Sequence, residues 1–195
     1  MDIFQYRQPA AGVDAIFPRR WSPRAMSGED IPEEILKSLF EAARWAPSSN
    51  NNQPWRFLYA RRNSVHWNTF FPLLRESNQV WAVKAAVLIV VISKSTFDSN
   101  EKPARTHSYD AGAAWENLAL QGSLLGLVVH GMQGFDYDLA RKVLDIPELY
   151  QVEAMIAVGQ PGKAEDLPES LRNREYPSGR KDLSDIAAEG PFRFR

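Results

Sequence analysis

The sequence predicts an α/β-type domain in which helices and strands alternate along the chain. The run Ala85–Ile92 is apolar and rich in β-branched residues, as expected of a central strand buried on both faces. Apolar residues recur at helical spacing after the segment SGED at 27–30. A long helix with several small residues is predicted over Tyr109–Gly126. These patterns leave the direction of the strands open.

The remaining elements follow without a repeat, a low-complexity tract or a linker. In the first helix, Asp30 is the expected cap, Pro32 lies in the first turn and Pro47 marks the end. The other expected elements are a strand at Arg56–Ala60, an amphipathic segment at Asn68–Leu74, strands at Leu127–Met132 and Glu153–Pro161, a helix from its cap at Asp136 to about Leu144, and a basic tail from about Lys163. We therefore expect a single domain over residues 1–195.

Composition excludes several classes of function. The 195 residues contain no cysteine, which excludes disulfides, thiolate nucleophiles and iron–sulfur ligation. The three histidines have no spacing typical of a metal site, so no metal is predicted. A formal net charge of -1 gives no reason to expect nucleic acid or an acidic membrane as a partner. No apolar run is long enough to span a bilayer and no secretory signal is evident, so a cytoplasmic location is expected.

Two basic clusters are candidates for binding a phosphate group. They are PRRWSPR at Pro18–Arg24 and YPSGRK at Tyr176–Lys181, and each combines guanidinium groups with a serine. Arginine binds phosphate oxygens through paired hydrogen bonds and a serine hydroxyl adds a donor. Taken singly, either cluster is more typical of a solvated charged surface. The glycine-rich fingerprints of mononucleotide sites are absent, so a phosphate would need such a cradle.

Two further segments are candidates for contacting a ligand. The segment APSSNNNQPW, Ala46–Trp55, concentrates amides and hydroxyls in the loop that leaves the first helix. In HGMQGFD, His130–Asp136, a strand ends and a helix begins around Gly131 and Gly134. The glycines there are typical of a turn that needs a positive φ, and close approach of a planar ligand is the alternative. His107 could donate a proton to a substrate, although a lone loop histidine is more often structural.

With RWSPR, APSSNNNQPW, the buried strand, GFD and PSGRK in this order, the chain resembles the nitroreductase family of FMN-dependent oxidoreductases over roughly Ala15–Lys181. The resemblance implies an α+β fold with three α/β/α layers and a central, mostly antiparallel sheet. It also implies an interlocked homodimer with two flavin sites, each lined by both subunits. The monomer would then not be the functional unit.

The resemblance also implies which residues bind the cofactor. Arg20, Ser22 and Arg24 match the motif that meets the flavin phosphate, ribityl chain and pyrimidine edge. The other implied contacts are Pro47, Ser48, Ser49, Asn51 and Gln53 in the polar loop, Asn78 and Lys84 at the pyrimidine edge, the backbone of Gln133 and Gly134 near the hydride-accepting ring nitrogen, and Arg180 with Lys181 at the phosphate. Within the loop, Asn50 and Asn52 are expected only to shape the turn. The flavin would carry the chemistry, so no side chain is assigned a catalytic role.

The implied activity is ping-pong reduction of a nitroaromatic, quinone or similar small-molecule electron acceptor by NADH or NADPH. Reduction of enones or aldehydes, dehalogenation and oxidation of a peptide-derived ring remain open, as does a flavin-binding or flavin-carrier dimer without turnover. Three departures from the family pattern weaken transfer of any particular substrate: Met26 replaces a common aromatic residue, Gln133 lies at a variable position, and only Ser93–Ser108 separates the buried strand from the long helix. The preferred nicotinamide, and contacts of Arg105, His107 or Tyr109 with substrate, stay open.

Overall fold

A four-stranded antiparallel sheet forms the centre of the molecule in the computed structural model, which describes residues 2–194. The strands are β1 (Trp55–Arg61), β2 (Val87–Lys94), β3 (Val128–Met132) and β4 (Tyr150–Gly159), in the spatial order β1-β2-β4-β3. The helices are α1 (Ile16–Arg19), α2 (Glu33–Arg44), α3 (Trp67–Phe70), α4 (Glu76–Ala82), α5 (His107–Leu124), α6 (Tyr137–Val143) and α7 (Glu169–Arg172). Short 3-10 turns join several of them. None of the helices within residues 2–194 combines the length and apolarity needed to cross a bilayer.

Alternation along β2 explains the three layers. Val87, Ile89 and Val91 face a cluster formed with α2 and α5. Leu88 and Val90 face the opposite cluster, which includes residues of α3, α4 and α6. Successive side chains of a strand point to opposite faces, so an unbroken apolar run requires cover on both. The expected α/β/α arrangement around a central antiparallel sheet is confirmed.

Helix α2 has the length that the sequence predicts, but its expected N-cap is wrong. Pro32 is the N-cap residue and no side chain caps the helix. The carboxylate of Asp30 lies too early in the chain to reach the first turn and accepts a hydrogen bond from Asn63 instead, at 2.8 Å. Two glutamates in the first turn, Glu33 and Glu34, still suit the positive end of the helix dipole.

The other predicted elements are present with boundaries shifted by a few residues. The Asn68–Leu74 segment forms α3 and a following 3-10 turn, and Asp136 caps α6 by accepting a hydrogen bond from the Leu139 N–H. Helix α4 was not predicted, because its apolar residues are confined to its last turn, Val80–Ala82. The segment after β2 forms a short excursion closed by the bridge between Thr96 and Pro103.

A small edge ladder joins the first basic segment to the end of β4. Met26 pairs with Pro161, and the Gly162 N–H donates to the Ala25 oxygen at 2.9 Å. A Cβ on Gly162 would lie 2.5 Å from the carbonyl carbon and oxygen of Met26. Only glycine allows the two backbones to come this close.

Replacing Gly162 with alanine should lower the free energy of unfolding by about 1–3 kcal/mol, because backbone atoms cannot move aside as a side chain can. Gly12 is the matched control, since a Cβ there has no atom within 4 Å. Urea unfolding of Gly162→Ala and Gly12→Ala measures the difference. Equal stability of the two variants would contradict the ladder.

Candidate functional site

Five arginines converge on one cavity of about 360 Å³, which we call the arginine pocket. They are Arg7, Arg20, Arg24, Arg174 and Arg180. The hydroxyl-bearing side chains of Ser22 and Ser178 also line it. The two basic clusters predicted from the sequence are therefore brought together, although they lie at opposite ends of the chain.

Arg7 ties the two clusters to each other. Its side chain is 9% exposed, its Nε donates to the Ser178 oxygen at 2.9 Å, and one terminal nitrogen donates to the oxygens of Pro18 and Arg20 at 2.9 and 2.6 Å. Carbonyl groups orient this guanidinium but do not neutralise it. Burial, and then the charges of Arg180 and Arg20, lower the pKa of Arg7. The buried cation is thus held beside two others.

Carboxylates compensate only part of this charge. Arg20 Nε lies 3.3 Å from a Glu116 oxygen, and Arg24 lies 3.6 Å from a Glu175 oxygen. Within the described part of the chain, Arg180 donates only to oxygens of Ser178 and Gly179. The pocket therefore keeps a local positive charge that suits a dianion.

Glu175 holds Arg24 in position. It is 8% exposed, and one of its oxygens accepts the backbone N–H groups of Arg24 and Ala25 at 2.6 and 2.8 Å. The other oxygen has no hydrogen-bond partner among residues 2–194 and faces the Arg24 guanidinium. Both the backbone and the side chain of Arg24 are thus oriented by one carboxylate.

His130 closes the pocket on the side of the sheet. Its Nδ1 lies 2.8 Å from the Pro23 oxygen, and since a carbonyl can only accept, Nδ1 carries the proton. Its ring packs on Trp81 with centroids 4.6 Å apart. Burial is the main cause that lowers the pKa of His130, and Arg24 lowers it further. The imidazole is therefore neutral at pH 7.

The polar loop adopts a backbone that only special residues tolerate. Asn50, Asn51 and Gln53 have φ angles of 50°, 53° and 49°. Asparagine accepts the left-handed region more readily than most residues, whereas Gln53 is unusual there. Such strain costs on the order of 1–3 kcal/mol per residue and is concentrated in functional loops.

Hydrogen bonds to neighbouring segments hold this loop. Ser48 Oγ accepts the Gln53 N–H at 3.0 Å. Asn52 donates to the Thr96 oxygen and accepts from the Asp98 N–H, so its amide joins the loop to the segment that follows β2.

Asp110, at the start of α5, is the main anchor of the polar loop. This buried carboxylate accepts from the Ser49 N–H at 3.1 Å and from the Thr106 hydroxyl at 3.3 Å. The loop is therefore attached to the first turn of the longest helix.

The Gln133–Gly134 segment is also rigidly held. The Gly134 oxygen accepts from the Arg75 N–H and from Asn78 Nδ2, each at 3.0 Å. A Cβ on Gly134 would lie 2.6 Å from that amide nitrogen, and one on Gly131 would lie 3.0 Å from the Trp115 ring. Neither glycine has a positive φ, so the expected turn with positive φ is wrong and close packing explains both.

The structure does not unite all of the predicted site residues in one cavity. Arg20, Ser22, Arg24 and Arg180 line the arginine pocket, and Lys181 follows them on the surface. Its lining includes none of Pro47, Ser48, Ser49, Asn51, Gln53, Asn78, Gln133 or Gly134. Lys84 is paired with Asp166 at 3.0 Å and is half exposed.

Four residues that position the site were missed by sequence reasoning: Arg7, Asp110, His130 and Glu175. Arg7 lies in an N-terminal segment that carries no motif. Asp110 and Glu175 look like ordinary helix and surface charges until their backbone partners are known. For Asp110, His130 and Glu175, but not for Arg7, the only available signal was closeness in sequence to residues already under consideration.

Comparison with known proteins identifies the family. The nitroreductase family model matches residues 18–80 and 66–160. The chain belongs to the nitroreductase family. This confirms the expected family of oxidoreductase enzymes.

Individual proteins agree with this assignment. A solved structure described as an oxidoreductase containing FMN is 47% identical, with a TM-score of 0.93 and 97% of each chain covered. A nitroreductase from Desulfovibrio desulfuricans, solved in complex with FMN, is 25% identical with a TM-score of 0.71, covering 93% of this chain and 100% of the other. A protein of Archaeoglobus fulgidus named for NADH dehydrogenase and NAD(P)H nitroreductase is 27% identical over 164 residues, which cover 80% of this chain and 88% of the relative.

The neutral state of His130 makes stability depend on pH in a defined direction. Its pKa in the folded protein lies below the unfolded value of about 6.5. As pH falls from about 7 to 5, the unfolded chain binds a proton at His130 before the folded protein does. This histidine therefore lowers the free energy of unfolding at pH 5 relative to pH 7. His130→Gln should therefore lose less stability than the wild type over this range.

Urea unfolding at both pH values tests this expectation, with exposed His66→Gln as control. The control should retain the pH dependence of the wild type. A His130→Gln variant with the same pH dependence as the wild type would show that His130 is not held neutral.

Proposed function

We propose that this protein is an FMN-dependent oxidoreductase that uses NADH or NADPH to reduce a nitroaromatic, quinone or similar electrophilic acceptor. The observation that carries the proposal is the arginine pocket, in which three guanidinium groups, those of Arg7, Arg20 and Arg180, lie together with little compensation by carboxylates. Family membership and the FMN-containing relatives support it. The flavin would supply the hydride-carrying ring of the reaction.

The residues of the pocket fit a phosphate monoester. A phosphate offers several acceptor oxygens and nearly two negative charges at pH 7. Arg20 and Arg180 present planar donors, and the Ser22 hydroxyl lies 3.4 Å from an Arg20 nitrogen. Arg24 would extend this positive surface towards the pyrimidine edge, where negative charge develops on reduction. We include Lys181, next to Arg180, as a further phosphate contact.

Two other segments would meet the ring system. The loop residues Ser48, Ser49, Asn51 and Gln53 offer both donors and acceptors, as the flavin edge and ribityl hydroxyls require. Hydrogen bonds from Phe135, Arg75 and Asn78 hold the carbonyls of Gln133 and Gly134. In a trans peptide the N–H points away from the carbonyl, so a fixed carbonyl also fixes the direction of the N–H. An amide fixed in this way is suited to donate to the hydride-accepting nitrogen. Pro47 would restrict the backbone at the start of the loop. Lys84 would contact the flavin only if its ion pair with Asp166 opened.

The site would be completed by a second copy of the chain. The arginine pocket and the polar loop do not line one cavity within residues 2–194. Large apolar side chains are exposed close to the loop, with Trp45 72% and Tyr109 82% accessible. An apolar surface beside half of a polar site favours a homodimer in which the loop of one subunit covers the flavin of the other.

The cycle that we propose is ping-pong, with one pocket serving both the nicotinamide and the acceptor. The nicotinamide would bind, reduce the flavin and leave before the acceptor enters. A flavin-carrier dimer is the alternative, and it would use the same arginine pocket without efficient turnover. The two differ in the rate at which a nicotinamide reduces the bound flavin.

Purified protein should be yellow, with the absorbance of bound FMN, and should oxidise NADH or NADPH when a quinone or nitroaromatic is added. Anaerobic stopped-flow measurement of flavin reduction distinguishes the enzyme from the carrier, which should reduce slowly without acceptor-stimulated turnover. A colourless protein that gains no flavin absorbance on reconstitution would contradict FMN binding altogether.

Comparison of FMN with riboflavin tests the phosphate assignment. Arg20→Ala should weaken FMN binding by about tenfold to a hundredfold, because a hydrogen bond to a charged group contributes about 1.5–3 kcal/mol. Arg7→Met should also weaken FMN binding, since Arg7 orients both phosphate segments. Riboflavin, which has no phosphate, should bind both variants nearly as well as the wild type.

Fluorescence titration of the apoprotein measures both affinities, and thermal unfolding reports on the fold. Arg19→Ala is the control, because Arg19 is exposed and packs over Phe4 instead of lining the arginine pocket. An equal loss of FMN and riboflavin affinity would place the phosphate elsewhere.

A further inference from the structure

A second polar cluster lies apart from the arginine pocket, at the start of α5. It consists of Ser93 at the end of β2, His107 and Ser108 in α5, and Glu153 in β4. Ser93 is fully buried, whereas the side chains of His107 and Glu153 are 20% and 22% exposed. The cluster is therefore partly open to solvent.

A β-bulge directs the glutamate into this cluster. Val91 pairs with Ala154 and Ile92 pairs with Val152, so Glu153 has no partner across the ladder. An extra residue of this kind bends the strand and redirects a side chain, and bulges recur next to active sites. Glu153 Oε1 receives the hydroxyls of Ser93 and Ser108, the second at 2.7 Å.

The hydrogen bonds determine which imidazole nitrogen is free. The Ser93 hydroxyl has a single proton, which it donates to the Glu153 carboxylate. The Ser93 oxygen can then only accept from His107 Nδ1, which lies 2.7 Å away. Nδ1 consequently carries a proton whether the ring is neutral or charged. Nε2 is the nitrogen that can gain or lose one.

The cluster adjoins the polar loop. Asp110 follows His107 by three residues, so the two side chains share one face of α5. Asp110 holds the Ser49 N–H, and Ser49 belongs to the loop proposed to meet the flavin. Glu153 from β4 is the carboxylate beside His107, and β2 contributes the neutral Ser93.

We infer that the imidazolium form of His107 is a proton donor to the electron acceptor, and that the positioning residues Ser93 and Glu153 keep Nδ1 protonated so that Nε2 is the donating atom. The inference rests on the proposed function and adds a specific role to it. A quinone that gains a hydride from a reduced flavin becomes a phenolate anion, and one proton on its oxygen completes the hydroquinone. Nε2 of the His107 imidazolium gives up that proton, which leaves the neutral Nδ1–H ring. The ring then takes up a proton from solvent, to which the side chain is partly open.

Acceptors with different proton requirements test the role in catalysis. Benzoquinone takes a hydride and a proton, whereas ferricyanide takes single electrons and no proton. His107→Asn keeps an amide near Nδ1 but has no nitrogen that titrates. The ratio of benzoquinone turnover to ferricyanide turnover should fall at least about tenfold, since general acid catalysis contributes factors of this size or larger.

Ser93→Ala provides a second route if His107→Asn fails to fold. It keeps the imidazole but removes the group that fixes its tautomer, so the same ratio should fall by a smaller factor. His66→Gln, which alters an exposed histidine, should leave the ratio unchanged. An unchanged ratio in His107→Asn, or a yellow protein that reduces ferricyanide but no quinone, would overturn the inference.

Nitrogen NMR tests the geometry independently of turnover. In protein labelled with ¹⁵N in its histidine rings, the neutral ring of His107 should carry its proton on Nδ1 and none on Nε2, with or without flavin. Ser93→Ala should shift the ring towards the Nε2–H form. An Nε2–H tautomer in the wild type would overturn the inference even if the protein is yellow. A colourless protein with the Nδ1–H tautomer would overturn the proposed function, and the proton-donor role with it, but not the geometry of the cluster.

Discussion

Mutual repulsion of guanidinium groups is the constraint on which the candidate site depends. Arg7, Arg20 and Arg180 are close enough for the last two to lower the pKa of Arg7, although like charges would separate if the chain allowed it. Backbone carbonyls from both basic segments hold Arg7 in place, and they do so without cancelling its charge. The molecule thereby keeps an attractive surface for an anion, and the anion in turn would relieve the repulsion.

The polar loop is also held in place by residues of other segments. A backbone with three left-handed residues is unfavourable in isolation, so the loop needs external support. Asp110 supplies it from the first turn of α5, and Asn52 ties the loop to the segment that follows β2. Arg7, Glu175 and Asp110 thus act mainly on the main chain of other segments.

The fold was largely predictable because its decisive signals are local. An apolar run in β2, a 3.6-residue period in α2 and small residues in α5 each follow from burial at the centre of three layers. Helix α4 escaped notice because only its last turn is apolar. The role of Gly131 and Gly134 was misjudged because their constraint comes from Trp115 and Asn78, which are distant along the chain.

The sequence by itself determined most of the helices and strands, the family and the two motifs RWSPR and PSGRK. Only the tertiary structure decided that these motifs meet, that Arg7 joins them, and that a bulge directs Glu153 towards His107. The physical reason is that burial patterns repeat every two or four residues and are visible locally. Hydrogen bonds between side chains and backbone across 151 or 171 positions have no period and arise only when the chain has folded.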